Sequence, residues 1–320
     1  LADYFDDNGT PNEQMLAYYL LGRAYYDIKE APMALSSFLK ASERADTTAA
    51  DCDYKQLGIV YGQTSELFYQ QNLMEQSLDY ENKAIQYSWL GRDTLSAIMA
   101  NVNKISTYLG FSQIDSAINL CEKTAFMAKE FGFPQVAFST QGLIISYLIE
   151  RGDLKKAEQF MKGYESGSGY FDSLNNIEIG REVYYYTKGQ YFLSVNNYDS
   201  AEYYFRKELR DGKDFNNQNA GSRGLALLFQ KTHKPDSAAK YALYSYAMND
   251  SVYAQMATQE VEMAKAMYDY SRNQEKAQRE QHRADKEHQR LLWIVFLLVL
   301  VVMISASLIR KEKRKRREVR

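Results

Sequence analysis

The stretch MLAYYLLGRAYYDIKEAPMALSSFLKA, residues 15–41, decides the fold because small and aromatic residues recur in it at fixed helical spacings. Counted from Tyr18, the recurring positions fall at offsets 3, 4, 7, 16, 20 and 23. They are Tyr18, Leu21, Gly22, Tyr25, Ala34, Phe38 and Ala41. Small residues let two helix backbones approach closely, and aromatic side chains fill the gaps beside them. The stretch therefore predicts two antiparallel helices packed against each other.

The same arrangement recurs along the chain, which indicates a repeat protein. A second clear copy consists of Tyr185, Gly189, Phe192, Ala201 and Phe205. The small residue of the second helix falls at positions 34, 77, 117, 157, 201 and 238, in steps of 37 to 44 residues. The tripeptide Asp-Ser-Ala occurs in the same phase at residues 115–117, 199–201 and 236–238. Aspartate suits the first turn of a helix, and we expect the serine to cap it.

Residues 15–250 resemble a tetratricopeptide-repeat solenoid. The resemblance implies an all-α superhelix of about six helix pairs over residues 1–250, with Ala238 as the small residue of the last pair. It also implies that the first helix of each pair lines a concave face that binds a peptide or protein ligand. The residues expected there are Tyr19, Arg23, Tyr26, Glu66, Tyr69, Tyr186, Gln190, Arg223 and Gln230. Tyrosine and arginine anchor interfaces well; the alternative is that many of these tyrosines only fill gaps between helices.

Residues 291–309, LLWIVFLLVLVVMISASLI, form a segment of 19 residues without charge. At about 1.5 Å per residue it spans roughly 28 Å, close to the thickness of a bilayer core. The tail at residues 310–320 carries eight basic and two acidic residues. The positive-inside rule places such a tail in the cytoplasm, and the repeats outside it. The sequence thus predicts a single-pass protein in a lipid bilayer. Since no export signal is visible before the repeats, we expect that the native N-terminus is missing or processed.

Residues 251–290 connect the repeats to the predicted span and are expected to form one long helix that continues into it. One stripe of this helix repeats every seven residues, at Met256, Met263, Tyr270, Ala277 and Ala284. A second stripe, at Met267, Gln274, Gln281 and His288, becomes polar toward the span. Two interpretations fit this pattern: a solvated stalk, or a weak coiled-coil seam that joins two copies in a homodimer.

Composition and motifs give no support for catalysis or for a cofactor. The chain contains no P-loop, H-E-x-x-H or EF-hand pattern, which are the usual marks of nucleotide or metal chemistry. Two cysteines, Cys52 and Cys121, and three histidines are too few for a Cys-rich or His-rich metal site. Residues 1–271 hold 25 basic and 35 acidic residues, a net charge of −10. An acidic solenoid is a poor candidate for binding nucleic acid. We expect a non-enzymatic binding protein without metal.

Repeats, a connecting helix, one span and a basic cytoplasmic segment together resemble the membrane-anchored tetratricopeptide sensors of Bacteroidetes-type bacteria. This resemblance implies a periplasmic solenoid on the bacterial inner membrane, and a part in signal transduction. In that family the segment after the span continues into an output module. The alternative is a tail-anchored adaptor, whose solenoid lies in the cytosol and recruits partners to a membrane.

Overall fold

The computed structural model describes residues 2–256, and its regular elements there are fourteen α-helices. The helices are α1 (Ala2–Asn8), α2 (Pro11–Asp27), α3 (Ala31–Arg44), α4 (Tyr54–Gln70), α5 (Met74–Leu90), α6 (Thr94–Gly110), α7 (Ile114–Glu130), α8 (Pro134–Gly142), α9 (Ile145–Arg151), α10 (Leu154–Gly167), α11 (Val183–Ser194), α12 (Tyr198–Asp211), α13 (Phe215–Lys231) and α14, which is helical from residue 235 to residue 256. Within these residues, one isolated β-bridge joins Phe171 and Ile177.

After α1, the helices of the described chain pack as six successive pairs. The pairs are α2 with α3, α4 with α5, α6 with α7, α8 and α9 with α10, α11 with α12, and α13 with α14. Each first helix also contacts its counterpart in the next pair, as α4 does with α6 and α11 with α13. First helices therefore form a continuous row, called the inner row below. The predicted all-α solenoid is confirmed.

Most of the turns between these helices share one backbone conformation. Eight of them contain a residue with φ between 54° and 84°: Lys29, Asn72, Arg92, Ser112, Gly132, Gly152, Asn196 and His233. The amide that follows bonds to a carbonyl five residues earlier, as Glu30 N does to Tyr25 O at 2.9 Å. This is the Schellman arrangement, which satisfies the last carbonyls of a helix. Only two of the eight residues are glycines, so these hydrogen bonds hold six other residues in a conformation that costs about 1 kcal/mol or more each.

Helix starts agree only in part with the Asp-Ser-Ala prediction. Asp115 and Asp199 lie in the first turns of α7 and α12, as expected. The serine, however, does not cap the helix. The cap residue of α12 is Asn197, whose side chain accepts a hydrogen bond from Ser200 N at 3.2 Å. The serine prediction was wrong because α7 and α12 each begin two residues before the serine. The serine therefore lies inside the first turn and not at the cap position.

Small residues and aromatic rings meet between the paired helices. A Cβ atom at Gly22 would lie 2.5 Å from Phe38 Cδ1, and one at Gly189 would lie 2.5 Å from Phe205 Cε1. Both distances are too short for any side chain. The other residues of the pattern lie beside these contacts. Those that are fully buried are Ala34, Phe38, Ala41, Ala201 and Phe205, and Tyr18 is nearly so. The half-buried ones are Leu21, Tyr25, Phe192 and Ala238. The helix pairs therefore approach each other at the glycines.

The fourth pair departs from the regular pattern in two ways. Its first helix is interrupted at residues 143–144, between α8 and α9. A connector of 15 residues, 168–182, then separates α10 from α11. Ile177 of this connector is buried, and its amide donates to the hydroxyl of Tyr185 at 2.9 Å. Asn176 accepts a hydrogen bond from Lys207 Nζ at 2.8 Å. The connector is thus fastened to the helices that follow it.

The predicted span at residues 291–309, the basic tail, and all but the first six residues of the predicted stalk lie outside the described residues. Among the helices of residues 2–256, none combines the length and the apolar character that crossing a membrane requires.

Candidate binding site on the inner row

Three of the predicted ligand-binding residues meet between α2 and α4. The Tyr26 hydroxyl donates to Glu66 Oε1 at 2.8 Å. Arg23 donates to Gln63 Oε1 at 2.8 Å and forms an ion pair with Asp27 at 3.1 Å. Burial, and then the neighbouring Glu66 carboxylate, raise the pKa of the Tyr26 phenol, so it stays a hydrogen-bond donor. These side chains form a polar cluster near the N-terminal end of the inner row.

Three further predicted residues meet between α11 and α13. The Tyr186 hydroxyl accepts hydrogen bonds from Arg223 Nε at 3.0 Å and from Arg223 Nη2 at 2.7 Å. Gln190 Nε2 donates to the same oxygen at 2.8 Å. Tyr186 is buried, whereas Arg223 is exposed. The buried ring thus orients a guanidinium at the surface, where it is available for further contacts.

The other three predicted residues lie apart from these clusters. Tyr19 is half-buried with its ring centroid 6.1 Å from that of Phe38, which is the position of a residue that fills a gap between helices. Tyr69 is exposed near the end of α4. Gln230 is exposed and lines a groove between α13 and α14.

The inner row also holds a pocket that the sequence did not reveal. Its volume is about 390 Å³, and its walls come from α6, the α8–α9 break, α10, α11 and the 168–182 connector. Binding pockets for small ligands have volumes of about 300–1,000 Å³ and mostly apolar walls. The apolar wall residues are Met99, Val102, Val136, Leu143 and Val183. Met99 and Val183 are 42% and 52% exposed, so a ligand can reach them.

Polar groups around this pocket are already paired within the protein. The Arg181 guanidinium lies 3.7 Å from the centroid of the Tyr170 ring, and its Nε donates to Glu178 at 3.2 Å. At the inner end the Tyr184 hydroxyl donates to Glu165 at 2.7 Å, and Glu165 is ion-paired with Lys188. Burial, with the Glu165 charge, strongly raises the pKa of Tyr184, which is therefore protonated. Such surroundings suit an uncharged, apolar group better than an ion.

Two features of the sequence were signals for this pocket. The step from Ala157 to Ala201 is 44 residues, the longest of the series, because it contains the connector. Gly142 stands where the first helix ends, and a Cβ there would lie 2.6 Å from Tyr164 Cε2. Neither signal shows where the residues of the connector lie in space, so the sequence does not predict which residues form the pocket walls.

One buried carboxyl group lies directly behind the α11–α13 cluster. Glu208 is completely buried in α12, and its Oε2 accepts a hydrogen bond from Tyr186 N at 3.3 Å. Its Oε1 has no hydrogen-bond partner. Burial, together with the carboxylates of Glu182, Asp214 and Asp211, raises the pKa of Glu208 to about 9. Glu208 is therefore a protonated acid at neutral pH.

Residues 2–256 contain no group of three or more His, Cys, Asp and Glu side chains placed to hold a metal ion. Cys52 and Cys121 are both free thiols rather than a disulfide. Cys121 is buried with its Sγ 3.4 Å from Thr140 O, and burial raises the pKa of this thiol to about 12. A thiol in this state is a poor nucleophile.

Comparisons with known proteins establish the fold. No family model and no curated protein matches the sequence. The apo form of RapI is 15% identical over 75% of this chain and 99% of RapI, with a TM-score of 0.56. BtubC from P. vanneervenii is 11% identical over 70% of this chain and 92% of BtubC, with a TM-score of 0.53. A chain of the APC/C hetero-tetramer Cut9-Hcn1 is 13% identical over 77% of this chain and 42% of its own length, with a TM-score of 0.54. At such identities the similarity concerns architecture alone: the described chain is an all-α, tetratricopeptide-like solenoid.

Proposed function

We propose that this chain is a non-enzymatic receptor or scaffold that binds a peptide or protein segment along its inner row. The observation that carries the proposal is the 390 Å³ pocket, to which the first helices α6, α8 and α11 contribute wall residues together with α10 and the connector. A pocket in that position can receive one side chain of a bound segment, as apolar anchor positions do at protein interfaces. Its paired polar rim and exposed Met99 and Val183 favour an aliphatic or aromatic side chain.

The two polar clusters would contact the rest of the ligand. Tyr186 and Arg223 lie on α11 and α13, and α11 also supplies Val183 and Tyr184 to the pocket. Val183 at the pocket and Tyr186 are therefore about one turn apart on α11, and Tyr186 binds the exposed guanidinium of Arg223 on the neighbouring first helix. The net charge of −10 over residues 1–271 disfavours a strongly acidic ligand.

Selection from a displayed library of random peptides, with the full chain in detergent micelles as bait, tests this proposal. We expect enriched peptides to share an aliphatic or aromatic residue. Val183→Arg, which places a charged side chain into the pocket, should weaken their binding by about tenfold or more, since a buried anchor contributes about 1.4 kcal/mol or more.

Val195→Arg is the matched control, because Val195 is also exposed but does not line the pocket. It should leave the dissociation constant within about twofold, as expected for a surface substitution away from an interface. Peptides that bind Val183→Arg as tightly as the unchanged chain, or a selection that enriches none, would count against the inner row as the binding site.

We further propose that residues 291–309 anchor the protein in a membrane, with the solenoid on the extracytoplasmic side and the tail in the cytoplasm, as in the sensory part of a signalling protein. The uncharged segment and the eight basic residues after it support this orientation. The tail-anchored adaptor is the second candidate, because a single uncharged span that follows a solenoid also fits that class.

Labelling with a membrane-impermeant maleimide distinguishes the two orientations. In a Cys52→Ser background, Leu174→Cys marks the solenoid at a site that is 80% exposed, and Glu318→Cys marks the tail. The receptor orientation predicts labelling of Leu174→Cys in intact cells, and of Glu318→Cys only after permeabilisation. The reverse pattern would establish the adaptor orientation.

A further inference from the structure

The last helix pair ends in a groove that no helix of residues 2–256 covers. In the preceding pairs the next first helix packs against both helices of the pair, as α6 does on α4 and α5, and α13 on α11 and α12. The corresponding groove after the last pair has a volume of about 580 Å³ and is lined by α13 and α14 alone.

Exposed apolar side chains form a ridge on α14 along this groove, and one of them, Tyr246, also lines it. Leu243, Tyr246 and Tyr253 are 72%, 67% and 64% exposed. Residues 235–256 contain only three charged residues, Asp236, Lys240 and Asp250. A solvated helix normally carries charge on its outer face, and contiguous apolar exposure of this kind marks an interaction surface. The groove and the ridge together are called the end surface below.

The ridge continues the seven-residue pattern of the predicted stalk. Tyr246 and Tyr253 are seven residues apart, and two further steps of seven lead to Met267. Ala242, which lines the groove, leads in the same way through residue 249 to Met256 and the first stripe of the stalk. The end surface and the predicted seam are therefore in one heptad phase, with charged Glu260 as an interruption.

We propose that two copies of this chain associate through the end surface, with the ridge of each α14 packed against the groove of the other. A two-fold interface requires one surface that complements itself, and a ridge beside a groove provides this. The inference goes beyond peptide binding in the pocket, although Arg223 and Gln230 of the inner row also line this groove. It uses the predicted stalk as the continuation of the contact.

The exposed area agrees with a contact that extends into the stalk. A tyrosine can bury about 150–250 Å², so the partly exposed Leu243, Tyr246, Tyr253 and Met256 offer roughly 500 Å² together. A stable interface buries about 800 Å² on each partner. The end surface supplies the larger share, and the stalk positions Met263 and Met267 would supply more.

A return of this chain onto its own end surface is disfavoured by composition. Residues 271–290 contain alanine as their only apolar residue type. Such a segment cannot supply the large side chains that cover a groove between helices. A different protein as the occupant is an outcome that the following experiment detects.

Cysteine crosslinking of the full chain in detergent micelles tests the proposal. In a Cys52→Ser background, Tyr246→Cys and Tyr253→Cys should each form an intermolecular disulfide under mild oxidation. Tyr203→Cys is the matched control, because Tyr203 is 56% exposed but lies on α12, away from the end surface. We expect crosslinking at positions 246 and 253 at least about tenfold above the control.

Analytical ultracentrifugation of the same preparations gives an independent measure. The unchanged chain should sediment as a dimer, and Tyr246→Glu combined with Tyr253→Glu should raise the dimer dissociation constant by about tenfold or more. A monomeric full chain would overturn the proposal and point to another protein as the occupant. A dimer that crosslinks through Ala277→Cys but not at positions 246 and 253 would also overturn it, since the stalk alone would then form the contact.

Discussion

Replacing Glu208 with glutamine tests whether a buried acid limits the stability of the solenoid at neutral pH. Glu208 has no exposed surface, and one of its oxygens lacks a hydrogen-bond partner. Glutamine has the same shape and keeps an oxygen for Tyr186 N, which donates to Glu208 at 3.3 Å. The substitution removes the ionisation of the side chain, and its amide places two N–H donors where the protonated acid has one O–H.

The expected magnitude follows from the difference between the folded and unfolded pKa values. The pKa of Glu208 is about 9 in the folded protein, against an ordinary value of 4.5. Between these values the folded state binds one more proton than the unfolded state, so the free energy of unfolding falls as the pH rises, by about 1.4 kcal/mol per pH unit. From about pH 5.5 to about pH 8 this group should cost the unchanged protein roughly 3 kcal/mol.

Urea unfolding in detergent micelles, followed by far-ultraviolet circular dichroism at several pH values, measures this cost. Glu208→Gln should lack this dependence, so its stability relative to the unchanged chain should rise by roughly 3 kcal/mol between about pH 5.5 and about pH 8. Glu43→Gln, the same change at an exposed site on α3, should leave the pH dependence unaltered. Equal slopes against pH for Glu208→Gln and the unchanged chain would refute the reasoning, because they would mean that Glu208 is ionised in the folded state.

Three further outcomes are expected. Gly22→Ala should lower the free energy of unfolding by about 1–3 kcal/mol, because the added methyl group would overlap the Phe38 ring. Gly62→Ala, where the nearest neighbour would be 4.0 Å away, should not lower it. Equal losses in the two variants would contradict close packing at position 22. Lys29→Gly should stabilise the chain by about 1 kcal/mol because φ is 64° there, and Lys40→Gly, inside α3, should destabilise it by about as much; urea unfolding distinguishes the signs. Cys121 should resist alkylation by iodoacetamide at about pH 8 until the chain unfolds, as mass spectrometry of the labelled peptide would show, because burial raises its pKa to about 12.

The regular part of the fold was predictable because it depends on residues close together in sequence. Gly22 meets Phe38, and Gly189 meets Phe205, across a single short turn, so one helix pair contains its own contact. The repetition of that contact then determined the number of pairs. Residues on first helices can be assigned to one face in the same way, which is why the sequence predicts Tyr26 and Glu66 on the face where they form a hydrogen bond.

The turns were less predictable than the helices they join. Gly152 and Asn196 are residue types that favour a positive φ, and both adopt one here. Lys29, Arg92 and Ser112 adopt the same conformation without that preference. The two hydrogen bonds that close each helix outweigh the local cost, and local residue preference does not report them.

By itself the sequence determined the helical class, the repeat, the helix pairs and most of the inner row, because neighbouring residues on one or two helices encode these features. The tertiary structure alone decided where the irregular fourth pair places its extra residues. Ile177 reaches its buried position through a hydrogen bond to Tyr185, and the pocket exists because α6, the helix break, α11 and the connector meet there. Contacts between elements that are distant in the chain carry no periodic signal, and burial of the connector against the following helices is what selects this arrangement.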